Sequence, residues 1–282
     1  MNTSDQHQRA ETFKALHHAG ETLVLANAWD AASARLFELA GAKAIGSTSA
    51  GIAFSCGYPD GERIPRGEMI NIVRRMVASV SVPVTVDIEA GYGNTRERVL
   101  DTVRAVLDTG AVGVNLEDAL IDRPGELRDV YKQADLVSAV RALAEDAGVD
   151  LYLNARTDVF WLKLGEPEAR LEVALMRSQL YRAAGASGVF VPGVTDAETI
   201  GALVRGTGCP LNVLAGPGSP DAEALSALGV ARVSVGSAPM RAMLAFTRRL
   251  GDGLVQGRFD PLFAETVPYA DANRLFAPDD TV

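Results

Sequence analysis

The amino-acid sequence predicts an α/β protein folded as a (β/α)8 TIM barrel, and three observations carry that expectation. Short β-branched apolar runs alternate with helical-period segments from residue 22 to residue 250, and the alternation counts eight units. Repeated βα units give parallel strands, and eight of them close into a barrel. The length of 282 residues suits such a barrel, which commonly takes about 250 residues. An open doubly wound sheet is the runner-up. However, "NAWDAAS" follows the first strand where a dinucleotide-binding sheet carries G-x-G-x-x-G, and no GKS/T phosphate loop is present.

Taken in order, the expected strands are "TLVLANA" (22–28), "AIGSTS" (44–49), "VTVDIE" (84–89) and "VGVNLE" (112–117), then "LYLNAR" (151–156), "GVFVPG" (188–193), "LNVLAG" (211–216) and "RVSVGS" (232–237). Helical periodicity fills 95–109, 166–184 and 221–228. "AGA" or "TGA" turns near 40–42, 109–111 and 184–186 lead into the next strand, because glycine just past a helix supplies a left-handed cap at little cost. No linker or composition shift precedes residue 250, so residues 1–282 read as one barrel domain with 251–282 as a C-terminal tail. That tail carries Phe259, Leu262, Phe263, Tyr269, Leu275 and Phe276 on a chain that has already used its eight units. Such a tail must dock on its own barrel or reach a partner subunit.

Composition narrows the function. A net charge of −9 without a basic cluster argues against a nucleic-acid partner. No apolar run approaches the roughly 18 residues of a membrane span, and the N-terminus lacks the basic start and apolar centre of a secretory signal. A cytoplasmic protein that engages neither nucleic acid nor membrane is expected. Cys56 and Cys209, the only cysteines, have no metal-knuckle spacing.

In a barrel the site lies at the C-terminal ends of the strands, and polar residues collect there. Strand one ends in Asn27 and Asp30, strand two in Ser47, Thr48 and Ser49, and strand three in Asp87 and Glu89. Strand four ends in Asn115, Glu117 and Asp118, and strand five in Asn154, Arg156 and Asp158. Residues two apart on a strand share a face, so Asp87 and Glu89 would leave together and raise each other's pKa unless compensated. A divalent metal is one resolution and two solvated loop acids the other. Asp30 and Asp158 could be helix caps, Arg156 could simply pair with a neighbouring acid, and Asp118 reads as structural. Thr48 and Ser49 form either an ordinary turn or a hydroxyl and amide cluster suited to a carboxylate.

Together, "GYPDGE" (57–62), "DIEAGYGN" (87–94), "NLEDAL" (115–120) and "NART" (154–157) resemble the isocitrate lyase and phosphoenolpyruvate mutase superfamily, over about residues 25–246. The resemblance implies an Mg2+-dependent barrel, with Mn2+ also possible, acting on a small 2-oxo acid through an enolate. It implies a dimer or tetramer whose last helix is exchanged between subunits. It makes Asp87 the acid nearest the metal, with Asp60, Glu89 and Glu117 holding its waters. It assigns Thr48 and Ser49 to the substrate carboxylate and Arg156 to the anionic 2-oxo acid, so that Arg156, Asp60 and Glu117 are the candidate catalytic groups. The departures matter equally. The segment "ALIDRPGELRDVYKQ" after strand four lacks the cysteine and histidine of the family's "KKCGH"-like loop, and between the "LED" motif and Lys132 it carries Arg123 and no lysine. Decarboxylation needs no base to begin, so C–C cleavage of the oxaloacetate decarboxylase kind is expected. Phosphonate P–C chemistry and a catalytically weak 2-oxo acid binder are the alternatives.

Overall fold

The computed structural model describes residues 3–264 and 266–277. Helix α1 (Thr3–Leu16) precedes β1 (Leu23–Ala28), α2 (Ala31–Leu39), β2 (Ile45–Ser47), α3 (Ser49–Ser55) and α4 (Arg66–Ser79). The chain continues through β3 (Val84–Asp87), α5 (Arg96–Leu107), β4 (Gly113–Glu117), α6 (Val130–Asp146), β5 (Tyr152–Arg156) and α7 (Pro167–Ala183). It ends with β6 (Gly188–Phe190), α8 (Ala197–Thr207), β7 (Leu211–Leu214), α9 (Ala222–Ala227), β8 (Arg232–Ser234), α10 (Ala238–Val255), α11 (Asp260–Phe263) and α12 (Tyr269–Leu275). All eight expected strands form. They pair in parallel in chain order, and β1 closes on β8 through Leu23↔Arg232.

The helices stop and start where side chains can satisfy their ends. Asp221 Oδ1 accepts from Ala224 N at 2.9 Å, and Thr95 Oγ1 accepts from Arg98 N at 3.4 Å. Asp30 forms a reciprocal capping box with Ser33, which resolves its two readings in favour of the cap. Gly41, Gly110 and Gly185 turn out of their helices at φ of 96°, 92° and 103°, a region closed to most side chains.

All eight strands are shorter than the runs the sequence implies, and in the third the difference reshapes the site. The run at 84–89 leaves the sheet after Asp87, and Glu89 takes a left-handed φ of 51°. The chain bends there because Glu89 Oε2 accepts from Glu62 N at 2.8 Å across the rim. Asp87 and Glu89 are therefore not a same-face strand pair. They are joined by the turn itself, with Glu89 N donating to Asp87 Oδ1 at 3.2 Å.

Alternation sorts the strands. Val84, Val86, Val114, Leu153 and Val213 are buried in the apolar clusters with helix residues such as Val73, Val103, Val140 and Leu203. The alternate positions turn into the lumen, which is polar where most barrels are filled by Val, Ile and Leu. At the N-terminal end, Phe13 of α1 packs with Leu23, Leu25 and Tyr152, its ring 5.4 Å from that of Tyr152. Full burial of this ring contributes on the order of 2–3 kcal/mol.

The helical tail beyond the barrel exists, but α11 and α12 bury no residue. Phe263 and Tyr269 are 69% and 86% exposed. Within the 251–282 tail, residues 265 and 278–282 lie outside the described residues. Among the described residues, no helix is long and apolar enough to cross a membrane.

Candidate active site

The strand ends converge on a cavity of about 110 Å³ lined by Asn27, Thr48, Ser49, Asp60, Asp87, Asn115, Arg156 and Ser234 on its polar sides. Ala50, Trp161, Phe190, Pro192 and Leu214 form its apolar side, and Gly236 and Ser237 complete the lining. That volume is well below the roughly 300 Å³ from which drug-sized sites begin, so it suits a small ligand. Five residues singled out in the sequence, Thr48, Ser49, Asp60, Asp87 and Arg156, meet in this one space. Glu117 and Glu89 adjoin it through Arg156 and Asp87.

Arg156 ends β5 between two carboxylates. Its Nη1 lies 2.8 Å from Glu117 Oε2, while Nε and Nη2 reach Asp158 Oδ1 and Oδ2 at 2.6 and 2.9 Å. Asp158 is thus an orienting partner of the arginine. Three of the five guanidinium hydrogens are used, leaving two for a ligand. Burial works against the charge of Arg156 but is outweighed by Glu117, Asp158 and Asp87, which raise its pKa further. The ring of Phe190 lies 5.6 Å from the guanidinium carbon.

Asp118 has the structural role expected of it. It is fully buried and accepts from Tyr181 OH at 2.7 Å, Arg177 Nη1 at 3.1 Å and Asp158 N at 3.0 Å. Arg177 also holds Arg128 O at 3.0 Å, so the segment after β4 is tied to α7. Gln133 Nε2 donates to Glu117 O at 3.2 Å and fixes the end of β4.

Negative charge is in excess. Burial, then Asp87 and then Asp60, pushes the Glu89 carboxyl up to about 8. Burial raises Asp60 as well, with Asp87 adding to it. Glu117 is raised well above the usual range by burial, against the pull of Arg156 and with Asp158 adding to the rise. Among the described residues no three His, Cys, Asp or Glu side chains are grouped closely enough to hold a metal ion by themselves. The donors present are hard oxygens around an under-compensated cavity. They fit a divalent ion of the Mg2+ type, which keeps several waters and uses one or two carboxylates directly. Asp87, inside the cavity, could ligate such an ion directly, and Asp60, Glu89 and Glu117 could hold its waters.

Thr48 caps α3, its Oγ1 accepting from Gly51 N at 3.2 Å, and Ser49 Oγ donates to Asp87 Oδ2 at 3.2 Å. The "GSTSAG" segment is therefore a helix start whose Thr48 and Ser49 line the cavity. The sequence reading missed Ser234, Phe190 and Trp161. For the first two a signal existed: in "RVSVGS" and "GVFVPG" they alternate with valines that face the helices.

The chain belongs to the phosphoenolpyruvate phosphomutase family, whose model matches residues 13–254. An uncharacterized protein of Mycobacterium tuberculosis (strain ATCC 25618 / H37Rv) is 37% identical over 92% of this chain and 94% of its own length. An oxaloacetate decarboxylase of Rhodopseudomonas palustris (strain BisB18) is 30% identical over 83% of this chain and 81% of its own. A crystal structure from Burkholderia cenocepacia J2315 superposes with a TM-score of 0.90 at 36% identity, over 98% of both chains. A phosphonopyruvate hydrolase solved with oxalate and Mg2+ shares the fold, with a TM-score of 0.84 at 22% identity over 95% of this chain and 94% of its own.

Proposed function

We propose that the protein is an Mg2+-dependent enzyme that cleaves a C–C bond of a small 2-oxo acid, with decarboxylation of an oxaloacetate-type acid as its reaction. The observation that carries this is the cavity itself, where an arginine with two unused donors faces an excess of carboxylates. The oxaloacetate decarboxylase relative and the metal-containing neighbour support it. Arg156 receives the substrate carboxylate, held rigid by Asp158 and Glu117, and Ser49 and Thr48 lie beside it. Trp161, Phe190 and Leu214 restrict water on the other side. A bound divalent ion would draw electron density toward the carboxylate and 2-oxo oxygens.

In decarboxylation the bond from C3 to the departing carboxylate breaks, and its electron pair moves to C3 and onto the 2-oxo oxygen. Carbon dioxide leaves, and the enolate takes a proton from water at C3. No protein base is needed to start, which matches a cavity lined by no His, Cys or Lys among the described residues. The test is turnover of 2-oxo di- and tricarboxylates and phosphonopyruvate with Mg2+, followed by release of carbon dioxide, pyruvate or phosphate. Carbon dioxide and pyruvate from oxaloacetate are expected. Phosphate from phosphonopyruvate alone would favour P–C chemistry, and no turnover would leave a binder of 2-oxo acids.

We further propose that 251–282 is an assembly tail whose helical part is exchanged between subunits of a cytoplasmic dimer or tetramer. Leu244, Phe246 and Leu254 of α10 are exposed at 43%, 39% and 43%. A groove of about 370 Å³ lined by Leu16, Val24, Ala26 and Phe37 lies on the outer face of β1. Val24 is half exposed on a barrel strand, where a helix from a second copy would cover it.

A further inference from the structure

Arg232 opens β8 and is fully buried, two residues below Ser234 on the same inward face. Among the described residues it forms no ion pair with a carboxylate. Its Nε and Nη1 have no partner, and its one hydrogen bond runs from Nη2 to Asn115 Oδ1 at 2.8 Å. Asn154 Nδ2 donates to the same oxygen at 2.9 Å. A buried guanidinium so poorly satisfied costs stability, and such violations concentrate where a site needs them.

The chemistry of that contact fixes an orientation. Guanidinium only donates, so the Asn115 atom facing Arg232 must be its carbonyl oxygen. Its amide nitrogen then faces the other way. Asn115 lines the cavity beside Asp87 and Arg156, and its Nδ2 makes no hydrogen bond among the described residues. A charge-assisted bond at the oxygen also polarises the amide and strengthens its N–H groups as donors.

We propose, on the footing of the 2-oxo acid reading above, that Asn115 is a substrate-binding donor to an anionic ligand oxygen, and that Arg232 beneath it is the positioning residue that fixes its amide. Arg232 never touches the ligand. Its cation sits below the floor and acts through one side chain, as a counterweight to the acids on the rim.

Calorimetric titration with oxalate in the presence of Mg2+ tests this on the full chain. Asn115→Ala and Arg232→Met should each weaken oxalate binding on the order of tenfold, and the double variant should lose no more than the larger single loss. Arg232→Lys, which keeps a donor to Oδ1, should retain most of the affinity. Arg232→Met should also unfold at no lower urea concentration than the unmodified chain, because it replaces an unsatisfied buried charge by an apolar side chain. If Arg232→Met does not fold, Asn115→Asp decides. It gains an ion pair with Arg232 but offers no donor to the cavity, so it should be at least as stable and bind oxalate more weakly. Unchanged oxalate affinity in Arg232→Met or in Asn115→Asp, or additive losses in the double variant, overturns the assignment while leaving the 2-oxo acid reading intact. Absence of oxalate binding by the unmodified chain overturns both.

Discussion

Replacing Glu89 by Gln in protein stripped of divalent cations isolates the electrostatic strain of the acid cluster. Burial, then Asp87 and Asp60, raises the Glu89 carboxyl from an ordinary 4.5 to about 8. The folded chain therefore keeps this proton across a window in which the unfolded chain has released it. With more protons bound in the folded state, the contribution to stability is fully present below the unfolded pKa and is lost as pH rises toward the folded one. At about 1.36 kcal/mol per pKa unit, the loss amounts to about 3 kcal/mol at pH 7. Glu89 is 4% exposed, so solvent screens little of it. Glutamine has no proton to lose, and its carbonyl can still accept from Glu62 N. Thermal unfolding in EDTA from about pH 5 to pH 8 should show the unmodified chain falling more steeply than Glu89→Gln, with a gap of roughly 5–10 °C at neutral pH. Adding Mg2+ should narrow the gap, since an ion held by the cluster stabilises its ionised form. Parallel pH profiles for the two proteins would refute the reasoning.

Three further outcomes are expected. Arg156→Lys should weaken oxalate binding by about tenfold or more, because an ammonium cannot bridge Glu117, Asp158 and a ligand together; equal affinity by calorimetry contradicts this. Asp118→Ala should lower stability in urea by about 3–5 kcal/mol, since it strands Arg177 and Tyr181 OH in the interior; an unchanged midpoint contradicts this. A chain ending after Leu250 should lose its oligomeric state in light scattering, and a full-length chain that is already a monodisperse monomer removes the assembly proposal.

The barrel was legible because its signals are local. Eight β-branched runs, helical periodicity over 95–109 and 221–228, and glycines at 41, 110 and 185 each act within a few residues of themselves. The polar rim was legible for the same reason, since strand ends announce their direction. What escaped depended on three-dimensional pairing. Nothing local says that Glu89 leaves the strand to meet Glu62, or that Asp158 turns to Arg156 and not to a helix end. Arg232 was hidden because a charged residue at a strand start ordinarily reads as solvated, and only closure of β8 on β1 drives it into the lumen. Phe190 and Trp161 escaped because a search for polar groups passes over the apolar walls that exclude water.

Calorimetric titration of Mg2+ into the unmodified chain and into Asp87→Ala, near pH 7.5 and with matched circular dichroism, tests the central claim most directly. Asp87 makes no core packing contact, so its removal should leave the fold intact. The account predicts Mg2+ binding by the unmodified chain and its loss in Asp87→Ala. Equal Mg2+ affinity in the two proteins, or none in the unmodified chain, would contradict it.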